Sequence, residues 1–152
     1  MSRLSWYIAF AFCAWDGGRL PTEAEWDYAA VGGSKQFANP WGSALPNDTL
    51  AVVGEGEFHV EVGSRPAGAA LWGHLDMGGS RQEFALDTTA VPGYVDYLIT
   101  PCVDCADFAH VSRGVHDTGP SPSFSSHAAL DYQQTAPDYQ SSDFGVRCAR
   151  DE

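Results

Sequence analysis

Four cysteines are the residues of this sequence whose chemistry is easiest to constrain. They are Cys13, Cys102, Cys105 and Cys148. An even number of cysteines in a chain rich in glycine and proline favours disulfides and an oxidising compartment, although four cysteines allow three pairings. A zinc site would need a second ligand pair beside Cys102 and Cys105, and a thioredoxin-like motif would need a flanking strand and helix. The sequence predicts neither, so disulfides are the favoured interpretation.

The charge of the chain limits its partners. Eight basic residues stand against twenty acidic ones, which gives a formal net charge of −12, and Lys35 is the only lysine. Such a chain repels phosphate backbones and anionic membranes, so nucleic acid is not an expected partner. An apolar run long enough to span a bilayer is also missing, so no membrane insertion is expected. The expected partner is a small ligand or a protein. If electrostatic attraction determines which partner binds, that partner is cationic.

Other chemistry-bearing residues give weaker patterns. The five histidines follow neither HxH nor HxxxH spacing, and each is most simply a residue satisfied by hydrogen bonds. A polar segment at 115–143 is rich in Ser, Pro, Asp, Gln and Tyr, and is expected to be a long ordered loop. It contains two tyrosines and two histidines that could contact a ligand: Tyr132, Tyr139, His116 and His127. Aromatic and polar side chains of this kind are typical of adaptable binding loops.

The stretch GGRLPTEAEWDYAA, residues 17–30, predicts the best-defined helix of the chain. Thr22 and Glu25 form a capping box, in which each side chain accepts a hydrogen bond from the other residue's backbone N–H. Pro21 precedes the cap, and Gly32 and Gly33 end the helix. A helix is therefore predicted over residues 22–31.

The remaining periodicity predicts one more helix and several short strands. The helix covers about residues 5–15, inside the run MSRLSWYIAFAFCAW. That run resembles a short signal peptide, but no small-residue cleavage site follows it, and a buried helix is the favoured interpretation. Strands are expected at four places, namely residues 58–62, 82–87, 108–113 and 144–151. The expected class is α+β, as a single loop-rich domain over residues 1–152.

Five sequence blocks together resemble one known family. They are LSWYIAFAFCAWDGGRLPTEAEWDYAAVGG, NPWG, VGSRPAGAALWGHLDMGGSRQEFALD, VSRG and DFGVRCARD. In this order they are similar to the formylglycine-generating enzyme family, also called the sulfatase-modifying factor domain, and the resemblance covers residues 4–151. It implies a C-type-lectin-like fold with two helices and a small mixed sheet. By the same resemblance, the chain begins near the middle of a usual family domain.

The sequence departs from the family where the enzymes carry out their chemistry. The enzymes are expected to bind copper with two cysteines shortly after an Arg-Gly-Gly block, and those positions fall near Gly119 and Phe124 in this chain. A thiolate pair holds the soft metal, and neither residue supplies a thiol. Val115 replaces the second glycine of the block, and Gln82-Glu83-Phe84 replaces Trp-Glu-Trp. No copper is therefore expected.

The resemblance also implies two disulfides and a calcium site. It pairs Cys13 with Cys148, which leaves Cys102 and Cys105 to pair with each other. The loop before the Trp-Glu-Trp block would wrap a calcium ion. The matching positions would supply the Asp76 and Glu83 carboxylates and the backbone carbonyls of Gly79 and Arg81. The alternative is that Asp76 and Glu83 are two exposed acids near Arg81.

Three functions remain open from the sequence. The first is a non-catalytic binding or structural module that is periplasmic or secreted, a localisation inferred from the cysteine pairing. The second is an oxidoreductase related to formylglycine-generating enzyme or to the iron-dependent sulfoxide synthases, although the latter need three histidines on a separate domain. The third is an inactive, truncated remnant of the family. Fold alone does not decide among them.

Overall fold

The computed structural model describes residues 3–52, 60–89, 99–101, 110–113 and 132–151. The chain divides into two compact units. The first comprises Met1–Trp26, Glu83–Arg113 and Tyr132–Glu152, and the second comprises Asp27–Gln82 and Gly114–Asp131. Among the described residues, no helix has both the length and the apolar character needed to cross a membrane.

Two α-helices form where the sequence predicts them. Helix α1 runs from Trp6 to Trp15 and is capped by Ser5, whose side chain accepts a hydrogen bond from the N–H of Ile8. Helix α2 runs from Glu23 to Ala30. Its capping box is formed as predicted, since Thr22 Oγ1 accepts from the Glu25 N–H at 3.2 Å and Glu25 Oε2 accepts from the Thr22 N–H at 2.8 Å.

A small sheet lies in the first unit, except for its first residue, Gln82, which belongs to the second unit. Its strands are β1 (Gln82–Thr89), β2 (Ile99–Pro101), β3 (His110–Arg113), β4 (Tyr132–Thr135) and β5 (Phe144–Gly145). The order is β2-β1-β3-β4, and β5 also pairs with β1. The ladders β1–β2, β1–β3 and β3–β4 are antiparallel, with an irregularity in β1 between Phe84 and Thr88. The α+β, loop-rich class with two helices and a small sheet is confirmed.

The core of the first unit joins α1 to the sheet. Its buried residues are Leu4, Trp6, Ala9, Cys13, Leu20, Phe84, Leu86 and Phe144. Trp6 satisfies its indole by donating to the Ala85 carbonyl at 2.8 Å, and the rings of Phe84 and Phe144 lie 4.4 Å apart. Because Trp6, Ala9 and Cys13 recur at helical spacing, one face of α1 is buried against the sheet.

A disulfide connects the end of α1 to the C-terminal segment. Cys13 and Cys148 are bonded with a Cα–Cα distance of 5.4 Å across a separation of 135 residues, which confirms the predicted pair. A backbone bridge between Arg19 and Ala149 lies beside it. Gly18 packs so closely there that a Cβ would lie 2.5 Å from the Ala149 carbonyl oxygen. The predicted Cys102–Cys105 pair lies outside the described residues and stays a prediction.

The second unit is built mainly from turns. Its regular structure among the described residues is the last part of α2 and two short 3₁₀ helices, Gly33–Lys35 and Pro66–Gly68. Gly68 is required by packing, because a Cβ there would lie 1.6 Å from the Leu50 carbonyl oxygen. Three described non-glycine residues outside the helices, Gln36, Asp76 and Ser80, have positive φ values of 50°, 58° and 65°.

Several strand predictions need correction. Residues 60–62 form no strand, since Glu61 starts a turn by accepting a hydrogen bond from the Ser64 N–H, and residues 58–59 lie outside the described part. The predicted loop 115–143 contains strand β4, because the polar residues Tyr132–Thr135 pair with β3. The closing strand is only two residues long, at Phe144–Gly145. Strand β1 extends two residues beyond the predicted 82–87, and of the predicted strand 108–113 the structure describes 110–113 as β3.

Candidate functional site

Glu83 on strand β1 lies at the centre of a polar cluster in the first unit. Its carboxylate receives a bidentate pair from Arg147, with Nε at 2.7 Å from Oε2 and Nη2 at 2.9 Å from Oε1. The Trp26 indole N–H donates to Oε2 at 2.8 Å. The Glu83 side chain is only 11% exposed. The cluster therefore joins three segments of the unit: α2, β1 and the C-terminal segment.

This arrangement gives the Glu83 carboxylate three protein donors, two on Oε2 and one on Oε1. A bidentate contact between guanidinium and carboxylate fixes the orientation of both groups. Both Glu83 oxygens already accept hydrogen bonds from protein donors. The geometry therefore gives Glu83 a structural role within the first unit.

A second group of acidic residues surrounds the start of α2. The Asp87 carboxylate accepts a hydrogen bond from the Glu23 N–H, where the helix dipole favours negative charge, and burial raises the pKa of Asp87. Hydrogen bonds from Arg19 lower the pKa of Glu25 to about 2. Arg19 also reaches Asp151 at 2.7 Å. These contacts hold the helix start and the C-terminal segment in place.

Asp27 differs from the other acids of α2. It lies in the second unit, and burial raises its pKa to about 7. A carboxyl group that is half protonated near neutral pH is typical of functional sites, although buried structural acids behave in the same way. The sequence does not predict this environment, because an acid in the first turns of a helix normally indicates only a favourable dipole interaction.

The residues predicted to bind calcium do not all belong to the same unit. In the second unit, Asp76 Oδ2 accepts a hydrogen bond from the Gly63 N–H at 2.6 Å, and a Cβ on Gly79 would lie 2.5 Å from the Val52 carbonyl oxygen. Arg81 is half-buried beside the start of β1. In the first unit, Glu83 is held by Arg147, so its carboxylate does not fit a calcium ligand as it stands.

No larger metal cluster replaces that set within the described part of the chain. There, no three or more His, Cys, Asp or Glu side chains come together in a way that could hold a metal ion. A site made of one carboxylate, backbone carbonyls and water would not be a group of three such side chains, so this finding does not exclude it. The calcium site therefore stays a prediction, and Glu83 is its weakest member.

The second unit presents an exposed aromatic surface that the sequence did not reveal. The rings of Tyr28 and Trp72 stack with centroids 5.1 Å apart and planes inclined by 8°. Tyr28 is 60% exposed and Trp72 is 49% exposed, and Leu71 beside Trp72 is also exposed. We call Tyr28, Leu71 and Trp72 the aromatic patch. Its signal in the sequence is weak: Tyr28 lies off the apolar stripe of α2, and Trp72 sits among small residues of a turn.

The residues proposed from the polar segment are only partly described. Tyr139 is exposed and packs edge-to-face on Phe144, with centroids 6.2 Å apart. Tyr132 begins strand β4. His116 and His127 lie outside the described residues, so their predicted contacts stay predictions.

The described architecture is that of the sulfatase-modifying factor fold. The family model described as the sulfatase-modifying factor enzyme 1-like domain matches residues 1–152, and the chain therefore belongs to that family. Among solved structures, PvdO from Pseudomonas aeruginosa superposes with a TM-score of 0.71 at 23% identity, covering 98% of this chain and 60% of that one. Treponema denticola variable protein 1 gives a TM-score of 0.59 at 25% identity, covering 84% of this chain and 45% of that one.

Curated relatives include both active and inactive proteins. The formylglycine-generating enzyme of Bos taurus is 30% identical over 97% of this chain and 43% of its own length. The hercynine oxygenase of Mycobacterium tuberculosis is 36% identical over 62% of this chain and 24% of its own. The inactive C-alpha-formylglycine-generating enzyme 2 of Bos taurus is 55% identical over 30% of this chain and 16% of its own length. The chain thus spans less than half the length of these relatives.

The residues of this chain do not fit the copper site that the family resemblance implies. The two positions that match the copper-binding cysteines fall near Gly119 and Phe124, and neither side chain can ligate a metal. The described cysteines, Cys13 and Cys148, are joined to each other and offer no thiolate.

Proposed function

We propose that this chain is a non-catalytic member of the sulfatase-modifying factor family that serves as an extracytoplasmic binding module. The observation that carries the proposal is that the chain keeps the stabilising contacts of the family fold but lacks the two thiols expected to bind copper. The disulfide, the Trp26–Glu83–Arg147 cluster and the buried core preserve the first unit, whereas Gly119 and Phe124 stand where the copper-binding thiols are expected. A scaffold kept without its reacting groups favours binding over catalysis.

The proposed localisation rests on the disulfide. A bridge between residues 135 apart in sequence persists only where thiols are oxidised, as in the periplasm or outside the cell. The disulfide is part of the buried core, because Cys13 is fully buried. This supports an oxidising compartment for the folded chain.

The test is an oxidation assay on purified protein. The protein is loaded with Cu(I) and incubated in air, with an added thiol as reductant, together with a peptide that carries a single cysteine. Mass spectrometry follows conversion of that cysteine to formylglycine with release of its sulfur as sulfide. We expect no conversion. Conversion would overturn the proposal and favour the oxidoreductase alternative that the hercynine oxygenase and formylglycine-generating enzyme relatives represent.

Copper affinity gives a second measurement with a matched control. Competition with a Cu(I) chelator should show weak binding to the wild type. The Cys102→Ser/Cys105→Ser variant removes the two cysteines that are outside the described residues. Tight Cu(I) binding by the wild type that this variant loses would contradict the proposal, because it would reveal a thiolate pair at a new position.

A far-UV circular dichroism melt separates a binding module from a remnant. A cooperative transition, lost when the disulfide is reduced, is expected for a folded module closed by Cys13–Cys148. A gradual, non-cooperative change in the oxidised protein would favour the remnant. Folding is thereby tested independently of any ligand.

A further inference from the structure

We propose that Asn47 is an acceptor for N-linked glycosylation. The residues Asn47-Asp48-Thr49 form the tripeptide Asn-X-Thr with X other than proline, which is the acceptor pattern for this modification. The sugar donor is a lipid-linked oligosaccharide diphosphate. This inference goes beyond the proposed binding role and uses only the extracytoplasmic localisation that accompanies it. A tripeptide pattern also occurs by chance, so the inference rests on how the structure presents these three residues.

The two asparagines of the chain, Asn39 and Asn47, differ in both sequence context and exposure. Asn39 is only 7% exposed, and it is followed by Pro40 and Trp41, which do not fit the acceptor pattern. Asn47 and the two residues after it are all exposed, in a turn of the second unit. A glycan is bulky and needs an acceptor at the surface. Of the two asparagines, only Asn47 meets both requirements.

The Thr49 side chain is held against the side-chain amide of Asn47. Thr49 Oγ1 donates a hydrogen bond to Asn47 Oδ1 at 2.6 Å, and the Thr49 N–H donates to the same oxygen at 3.0 Å. The backbone contact defines an Asx turn, and the hydroxyl contact adds to it. The hydroxyl that the pattern requires therefore contacts the acceptor amide through its oxygen, and not through the nitrogen that would carry the sugar.

The folded chain can carry the glycan without losing the described contacts of this amide. Glycosylation forms a bond from Asn47 Nδ2 to the anomeric carbon of the sugar, and Nδ2 loses one proton. The bond from that carbon to the phosphate oxygen breaks, and its electron pair leaves on the lipid diphosphate. Nδ2 has two hydrogens and donates to the Leu45 carbonyl at 3.3 Å. The remaining hydrogen can keep this bond, and Oδ1 stays available to Thr49.

The experiment is mass spectrometry of the full chain after secretion through the endoplasmic reticulum of a eukaryotic host. The intact mass is measured before and after treatment with a peptide N-glycosidase, and the Asn47 peptide is then sequenced. We expect an added mass of hexose and N-acetylhexosamine units that the glycosidase removes. The enzyme should leave aspartate at position 47 and asparagine at position 39.

Two substitutions at Thr49 give a matched pair. Thr49→Ala keeps the asparagine but removes the hydroxyl, so the added mass should be lost, as it should be in Asn47→Gln. Thr49→Ser keeps a hydroxyl and should keep the added mass. A secreted wild type of unmodified mass would overturn the inference. So would a glycosidase-sensitive mass that persists in Asn47→Gln.

The outcome is separate from that of the proposed function. The Cys13–Cys148 disulfide is mapped in each secreted protein by non-reducing peptide analysis. A chain with this disulfide intact and no added mass contradicts only the glycosylation site. A chain that carries the glycan but converts cysteine in the oxidation assay contradicts only the non-catalytic role.

Discussion

At the scale of single residues, the largely buried Glu83–Arg147 pair makes the stability of the first unit sensitive to one substitution. Replacing Glu83 with glutamine removes the charge that balances a largely buried guanidinium, whose side chain is 25% exposed. We expect a loss of about 2–4 kcal/mol in the free energy of unfolding, measured by urea denaturation, because breaking one side of a buried ion pair leaves the other charge uncompensated.

The matched control is the exposed pair of Arg19 with Glu25, whose side chains are 30% and 46% exposed. Arg19→Gln should cost no more than about 1 kcal/mol, the range of surface ion pairs. An equal or larger loss in Arg19→Gln would contradict the structural role assigned to Glu83.

The buried Asp27 carboxyl makes stability depend on pH. Its folded pKa of about 7 lies above the ordinary value of 3.8, so between these values the folded state binds more protons than the unfolded state. Its contribution to stability therefore falls as pH rises from about 4 to about 7. The Asp27→Asn variant should gain stability relative to the wild type over this interval, followed by urea denaturation at pH 4, 5.5 and 7. A constant difference between the two proteins would show that Asp27 titrates normally.

At the scale of elements, the end of α2 depends on two left-handed glycines. Gly32 and Gly33 have φ values of 68° and 58°, which lets the chain reverse and brings Gly33 under the Tyr28 ring. Sequence alone predicts the helix end here, because glycine adopts positive φ without a steric cost. The packing of the Tyr28 ring against Gly33 depends on the tertiary fold.

Comparing Gly33→Ala with Gly17→Ala separates these two roles. Gly17 also has a positive φ, of 78°, but a Cβ there meets nothing within 4 Å. Both variants should lose about 1–2 kcal/mol from the left-handed backbone. Gly33→Ala should lose about 1 kcal/mol more and shift the Trp72 indole N–H signal of the ¹⁵N-labelled protein, because the new methyl group displaces Tyr28. Equal losses with an unchanged Trp72 signal would contradict the packing described for Tyr28.

At the scale of the whole molecule, the Cys13–Cys148 disulfide closes most of the chain. The chain-entropy model gives a bridge across 135 residues about 4–5 kcal/mol of stabilisation. Cys13→Ser/Cys148→Ser should therefore lower the melting temperature far more than Cys102→Ser/Cys105→Ser, whose predicted bridge would close a very short loop. The reverse order would show that the two pairs have been assigned the wrong roles.

Calcium binding is the remaining prediction at this scale, because it is measured by the melting of the whole chain. An ion that binds only the folded state raises the melting temperature by mass action. The wild type should melt at a higher temperature in excess calcium than in a chelator, and Asp76→Asn should abolish the difference. Glu83→Gln should preserve the difference in melting temperature if the wild-type Glu83 carboxylate binds Arg147 and not the calcium ion. An identical midpoint in calcium and chelator for the wild type would exclude the site.

The sequence by itself determined the parts of this protein that depend on local chemistry. The Thr22–Glu25 capping box, the apolar run of α1 and the glycines after α2 each specify structure within a few residues, and all three form as predicted. The family blocks determined the fold and the Cys13–Cys148 pair, because such blocks record which distant segments pack together.

Only the tertiary structure decided the contacts between residues far apart in the chain. Strand β4 lies in a segment too polar to predict as a strand, and its pairing with β3 supplies the hydrogen bonds that its side chains do not signal. The partner of Glu83 is 64 residues away, and Tyr28 meets Trp72 across a run of turns. Local patterns carry no information about such pairs, since burial and contact are set by how the whole chain packs.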